Sequence, residues 1–375
     1  MPKLKWGFVL VFIVLILTSC TPEGARPEPE IKIAIITSDE SWGGQWHTVQ
    51  PVIDKFGADK VIHATWPSSW QDPEQMIAER IEVVDKLGED LGVKAIIVNP
   101  AVPGINAAFE KLRETRKDIF VVYCQPHDIH YGIEHELAQT ADLIIARDEL
   151  GMGSAMVEQA HKLGAKTFVH YSIESQMMIP IFFERRALIS QKCDDLGIEF
   201  VDHTTLDPRA GEFLTRVIPR MVEEYGKDTA FFGTHCELQP WIIEEVVNTG
   251  AIYPQPCCPS PFHGFDRVVF DTVIRDGNAQ DFIDSTRTYL AEHDMLGRFS
   301  NWPVQDYYMY TYTLAEYAFM RINGQAPAEG IDIDILKQLM ADYAGVDVDL
   351  NHYVAPETGT TYENYLLLKM GYLIY

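Results

Sequence analysis

Short, unbroken apolar runs alternate along the chain with longer stretches whose apolar residues recur every three to four positions. Runs of the first kind lack the polar alternation of a strand with one wet face. They are the pattern of parallel strands covered on both faces. They fall at IKIAIIT (31–37), KVIHATW (60–66), VKAIIVN (93–99), DIFVVYC (118–124) and ADLIIAR (141–147). Between them the helical spacing predicts helices over 44–57, 72–91 and 104–116. Asp72 is placed to cap the second of these, with Pro73 in its first turn and Gln75 positioned for a capping box. The rhythm then resumes with a helix over 149–163, KTFVHYS (166–172), a helix over 177–196, IEFVDHT (198–204), a helix over 210–226, DTAFFGT (228–234) and a helix over 238–248. An α/β fold of two doubly wound (Rossmann-like) parallel-sheet lobes in tandem is expected.

The C-terminal part reads differently. Residues 304–327 predict a long aromatic helix ended by Asn323-Gly324, and 331–344 a further helix. The pattern leaves the aromatic-rich end unplaced.

The first residues also break the rhythm. Lys3 and Lys5 precede WGFVLVFIVLIL, an apolar run too short to span a bilayer comfortably as a mature helix. LTSC (17–20) follows, and it resembles the lipobox of bacterial lipoproteins. The resemblance implies that residues 1–19 are a signal peptide and that Cys20, carrying fatty-acyl chains such as palmitate, becomes the first residue. The alternative is an ordinary secretory signal in which Cys20 is incidental. TPEGARPEPE then reads as a polar, proline-rich tether over 20–30.

Charge narrows the function classes. The 375 residues carry 30 Lys and Arg against 55 Asp and Glu, a net charge of −25. Losing residues 1–19 removes two lysines and no acid, taking it to −27. Such a surface repels nucleic acid and anionic headgroups. A neutral or cationic ligand suits the overall field better than a polyanion, unless charge inside a pocket overrides it.

ADLIIARDELGMGSAMVEQAHKLGAKTFVHYS (141–172) resembles the first crossover of type I periplasmic (solute) binding proteins, the ribose- and nucleoside-binding relatives. Asp148, Gly151 and Gly153 stand where that family has an Asp and glycines opening a helix. Arg185-Arg186 resembles an arginine pair that includes a ligand contact in sugar-binding relatives, and Arg186 is taken as the contact. GFD (264–266) resembles the segment holding a ligand aspartate, here Asp266, although a Pro/Cys stretch replaces the family's smooth strand before it. NWPVQDYYMY (301–310) resembles the return crossover, with Gln305 next to the hinge. The resemblance implies lobe 1 over 31–147 with 303–325 returning to it, lobe 2 over 148–302, and a C-terminal extension over 326–375. It also fits an uncharacterised family of bacterial lipoproteins.

In open α/β sheets, ligands bind beyond the carboxyl ends of the strands. Trp42, Trp46, Trp66 and Trp70 all follow the first two strands, at one edge of one sheet. Aromatic faces there suit a flat or sugar-like ligand, and helix–sheet packing is the alternative for Trp46 and Trp66. Other polar strand ends are Asn99, Gln125 with His127, Arg147 with Asp148, Tyr171, Asp207 and His235. Loop capping explains such residues equally well.

Five cysteines remain beyond Cys20: Cys124, Cys193, Cys236, Cys257 and Cys258. The odd number and the lack of a CxxC argue against a disulfide scaffold. His235-Cys236 and YPQPCCPSPFHG (253–264), with His263, should both reach the cleft from lobe 2. A Cys236 bridge to Cys257 or Cys258, a soft-metal site, and a proline-stiffened pocket wall are the readings. The wall is preferred and no metal is expected, because regular ligand spacing is missing. Catalytic motifs and cofactor fingerprints are missing too. Glu134-His135-Glu136, near His127 and His130, reads as a solvated loop.

The expected function is that of a lipid-anchored, extracytoplasmic solute-binding protein, not an enzyme. It would close on a small sugar- or nucleoside-like ligand and deliver it to the permease of an ABC importer. A lipoprotein enzyme or metal-binding protein using the His/Cys region, and a ligand-sensing lipoprotein, are the alternatives. Replacing Cys20 by alanine should release the protein from the membrane fraction, read by fractionation and immunoblotting. Unchanged retention and signal processing would contradict the anchor.

Overall fold

In the computed structural model the described residues are 30–42, 44–67, 73–126, 132–205, 211–270 and 279–375. Ile31–Tyr375 cluster as one unit, distinct from Met1–Glu30. Cys20, Trp70, Asp72, His127, His130 and Asp207 lie outside the described residues, as does the side chain of Trp42.

Lobe 1 begins with β1 (Lys32–Thr37), α1 (Gln50–Phe56), β2 (Val61–Thr65), α2 (Pro73–Glu89) and β3 (Val93–Asn99). It continues with α3 (Ile105–Thr115), β4 (Phe120–Cys124), α4 (Glu134–Thr140) and β5 (Leu143–Arg147). The helix expected from residue 44 starts as a 3-10 turn over Trp46–Val49. Its strands lie parallel in the order β2-β1-β3-β4-β5. Their runs are continuous because both faces are covered. Ile33, Ile35 and Ile97 face one apolar core, while Ala34, Ile36 and Ile96 face another.

Lobe 2 follows with α5 (Met152–Lys162), β6 (Thr167–Ile173), α6 (Glu174–Met177), α7 (Pro180–Leu196), β7 (Glu199–Thr205) and α8 (Gly211–Tyr225). Next come β8 (Thr229–Gly233), α9 (Gln239–Thr249), α10 (Phe265–Phe270), α11 (Ala279–Glu292) and β9 (Ser300–Asn301). The order is β7-β6-β8, extended by parallel bridges from Ala230 to Ile252 and from Tyr253 to Phe299. This repeats the winding of lobe 1, with the fourth and fifth strands reduced to bridges. The prolines of YPQPCCPSP explain why the fourth strand goes no further, since they cannot donate to a ladder.

The chain then returns. α12 (Asp306–Ile322) packs Met309, Leu314 and Tyr317 into lobe 1. α13 (Ile333–Ala344), β10 (Val348–Val354) and β11 (Thr361–Met370) follow. β11 lies parallel to β5 and β10 antiparallel to β11, making the lobe 1 sheet seven-stranded among the described residues. Finally β12 (Leu373–Ile374) pairs with β9, and Tyr375 enters the lobe 2 core. The segment expected as an extension is thus part of both lobes. Two doubly wound lobes joined by a hinge are what the chain builds. Among the described residues no helix is long and apolar enough to cross a membrane.

Three histidines are held against protonation. His170 is fully buried on β6, stacked on Phe232, with Nδ1 3.0 Å from Asp202. Burial pushes the pKa of His63, His170 and His203 down. The folded chain therefore binds fewer protons than the unfolded chain once pH falls below about 6.5, the ordinary histidine value. The histidine contribution to stability should fall as pH drops through that region and level off above it. Urea unfolding between pH 7.5 and 5.5 checks this, with a shallower slope expected in His170→Phe.

Candidate functional site

β5 of lobe 1 ends at Arg147, and the chain crosses to lobe 2 directly after it. Those few residues and the start of α12 set the chemistry of the cleft. Arg147 is buried, with Nε 3.0 Å from Glu149 Oε1 and Nη1 3.2 Å from Asp306 Oδ2. Glu149 Oε2 in turn accepts from Nη1 of Arg185, on α7, at 3.0 Å. Two guanidinium groups and two carboxylates thus form one chain across the lobe junction.

Burial works against the charge of Arg147, yet Glu149 and Asp306 outweigh it and hold its pKa above the ordinary value. Burial raises the pKa of Asp306, opposed by Arg147. It lowers that of Arg185, opposed by Glu149. Isolated charges here would be untenable, so each depends on its partners.

Arg147, Glu149 and Arg185 line a cavity of about 440 Å³ at the carboxyl ends of both sheets, and Asp306 pairs with Arg147 behind its wall. Lobe 1 adds Gln125 and Tyr307. Gln125 sits at φ 44°, a conformation a non-glycine side chain seldom takes. It is held there by N–H donation to the Ile145 carbonyl at 2.7 Å, and Oε1 accepts from the Arg147 amide at 2.9 Å. Lobe 2 adds Gln176, Phe182 and Thr234. The Thr234 hydroxyl donates to Gln176 Oε1 at 2.6 Å, and Gln176 Nε2 donates to the Thr234 carbonyl at 3.2 Å. The cavity wall is completed by Cys236, Cys257 and Cys258.

The thiols are brought together by two loops. After β8, buried Gln239 donates from Nε2 to the carbonyls of Gly233 and His235, at 2.9 and 2.8 Å, which pins the turn carrying Cys236. The Pro/Cys stretch is clamped from the hinge side. Ser300 Oγ donates to the Pro254 carbonyl at 2.6 Å, and the Tyr372 hydroxyl donates to Gln255. Gly264 lets His263 come close: its φ is +81°, and a Cβ there would stand 2.7 Å from the Gln239 Cβ. As a result Cys257 Sγ lies 3.7 Å from Cys236 Sγ and 3.5 Å from His263 Nε2. No disulfide joins these cysteines. The hydrogen bonds Cys236 receives from its two cysteine neighbours pull its pKa down, while Cys257, bonded to Cys236, is pushed up.

Of the residues expected at the site, Gln125 lines this cavity. His263, Asp266 and Gln305 line a smaller one of about 240 Å³ that it shares with Cys236. Arg186 does not line the main cavity. One position along a helix turns the side chain by about 100°, so Arg185 faces the cleft while Arg186 pairs with Asp202 at 2.9 Å. Trp66 is buried in the lobe 1 core. Trp46 packs half-buried against His47 and His63. Asn99 is buried and donates from Nδ2 to the Tyr307 carbonyl and to Thr311 Oγ1, tying β3 to α12. Asp148 pairs with Lys369 and accepts from the Gly151 amide. Half-buried His235 accepts from the Glu237 amide. Glu149, Asp306 and Tyr307 were missed in the sequence. Glu149 stands two residues after the strand-end Arg147, but Asp306 lies 159 residues on, so the pair would have been a signal only with the return crossover placed beside β5.

Glu149→Gln should leave both arginines short of a partner. It is expected to cost about 3–5 kcal/mol of unfolding free energy, as for breaking a buried ion pair. Chemical denaturation of the two proteins checks this, and an unchanged midpoint would contradict the network's role.

Comparison with known proteins places the chain. It is 33% identical over 173 residues, 44% of this chain and 78% of the other, to an uncharacterized protein of Treponema pallidum (strain Nichols). A crystal structure from Clostridium difficile 630, whose own description proposes a transcriptional regulator, superposes with a TM-score of 0.82. It covers 92% of this chain and 99% of that one, at 20% identity, and shows the fold alone. An ABC-transporter solute-binding protein from Actinobacillus succinogenes 130z with bound D-allose matches at a TM-score of 0.49 and 12% identity, over 81% of this chain and 94% of that one. That likeness is too loose to say anything of the ligand here. Residues 31–300 match the family model described as "Protein of unknown function (DUF3798)", and the chain belongs to that family.

Proposed function

We propose that this protein is a lipid-anchored extracytoplasmic solute-binding protein that closes two lobes around a small polar ligand for an ABC importer. The observation that carries this is the cavity of about 440 Å³, open at the lobe junction and lined from both sheets. Its size suits a single small molecule. Its wall carries Arg147 and Arg185 against Glu149, with Asp306 balancing Arg147 from behind, so a neutral or zwitterionic ligand fits better than a polyanion. Gln125, Gln176 and Thr234 supply neutral polar contacts, and Phe182 supplies an apolar face. The function so stated needs hinge closure and no covalent chemistry. The anchor rests on the lipobox resemblance at Cys20.

A thermal-shift screen of sugars, nucleosides and amino acids should yield a stabilising ligand. Small-angle scattering should then show a smaller radius of gyration when it is bound. Phe182→Ala should weaken that ligand by about ten- to a hundredfold, or 1–3 kcal/mol, the range for losing one aromatic contact. Equal affinity in the variant would remove the cleft from the binding reaction.

A further inference from the structure

The cysteine–histidine cluster has a geometry of its own, independent of what fills the cleft. The Sγ atoms of Cys236 and Cys257 and a ring nitrogen of His263 all lie within 4.8 Å of one another. A tetrahedral zinc ion with Zn–S near 2.3 Å and Zn–N near 2.05 Å sets its ligand atoms about 3.8 Å apart for S···S and about 3.6 Å for S···N. The two edges meeting at Cys257 are 3.7 and 3.5 Å. The third, from Cys236 to His263, closes by movement of Cys236, which is the exposed member.

We propose that Cys236, Cys257 and His263 form a binding site for one thiophilic metal ion of the zinc type. The sequence argued for no metal, on spacing, because 21 residues separate Cys236 from Cys257. Folding supplies the proximity that the spacing lacks. Gln239 pins the first loop, the hinge clamps the second, and Gly264 admits the third ligand against α9. Two thiolates and a neutral imidazole give a neutral site with a divalent ion. The guanidinium of Arg147 lines the same cavity wall as Cys236 and places positive charge near the thiolates. Binding releases the thiol protons to solvent. Three protein ligands leave one position, and Cys236 borders both the main cavity and the smaller one beside His263 and Asp266. The fourth ligand is therefore water or a donor atom of the cleft's occupant.

The test uses the full chain in detergent, reduced and freed of metal, titrated with Zn(II) against a chromophoric chelator and with Co(II) by absorption. One ion per chain is expected, with thiolate-to-cobalt charge-transfer bands. Cys257→Ser and His263→Ala should each weaken Zn(II) by about a hundredfold or more, since losing even a supporting residue costs 10- to 100-fold. Circular dichroism monitors folding. If Cys257→Ser unfolds, the judgement passes to Cys236→Ser, at the exposed position. No binding by the reduced chain, cobalt spectra without thiolate bands, or undiminished Zn(II) affinity in a folded variant would each overturn the proposal. The solute reading is judged by its own ligand screen, so either can fail alone.

Discussion

Everything at the lobe junction depends on a run of charges that cannot afford to lose a member. Arg147, Glu149, Arg185 and Asp306 come from the end of β5, the first crossover, α7 and the start of α12. Removed from water, each charge is stable only beside its neighbours. The network therefore links the register of the lobe 1 sheet, the place where α12 begins and the approach of α7. Asn99 reinforces one end, since its amide holds the Tyr307 carbonyl and Thr311 on the same helix. Gln125 reinforces the other, with its side chain on the Arg147 amide.

Most of the fold could be read from apolar periodicity, because β1, β3, β4, β5, β6 and β8 are buried on both faces. IKIAIIT and VKAIIVN leave no other interpretation. The C-terminal segment was opaque for a physical reason. β11 joins the parallel sheet beside β5, but it reads TYENYLLLKM, with polar residues along its first half. Its partner β10 is an edge strand whose register shifts between His352 and Tyr353. Neither carries the continuous run that marks the central strands, and their placement depends on a pairing more than 200 residues away.

The candidate site was less legible, and its residues show why. Strand ends could be named, and Gln125 was among them. Which neighbour on a helix faces inward could not be: Arg185 and Arg186 are equivalent in sequence and differ by about a quarter turn in space. Tryptophan is equally ambiguous, since Trp66 follows a strand yet is buried among core residues of lobe 1. Contacts made across loops, such as Cys236 with Cys257, have no signature in spacing, for folding alone brings them together.

The pairing of β12 with β9 has a mechanical meaning. The chain passes between lobes near Arg147, again before Asp306, and a third time between Met370 and Leu373. A single linker would let two bodies tumble freely, and two would still let them twist. Three separated tethers act like pins along a door frame, leaving swing about one line as the easy motion. In the proposed function, opening and closing would then repeat along one path, with the walls meeting in the same alignment each time.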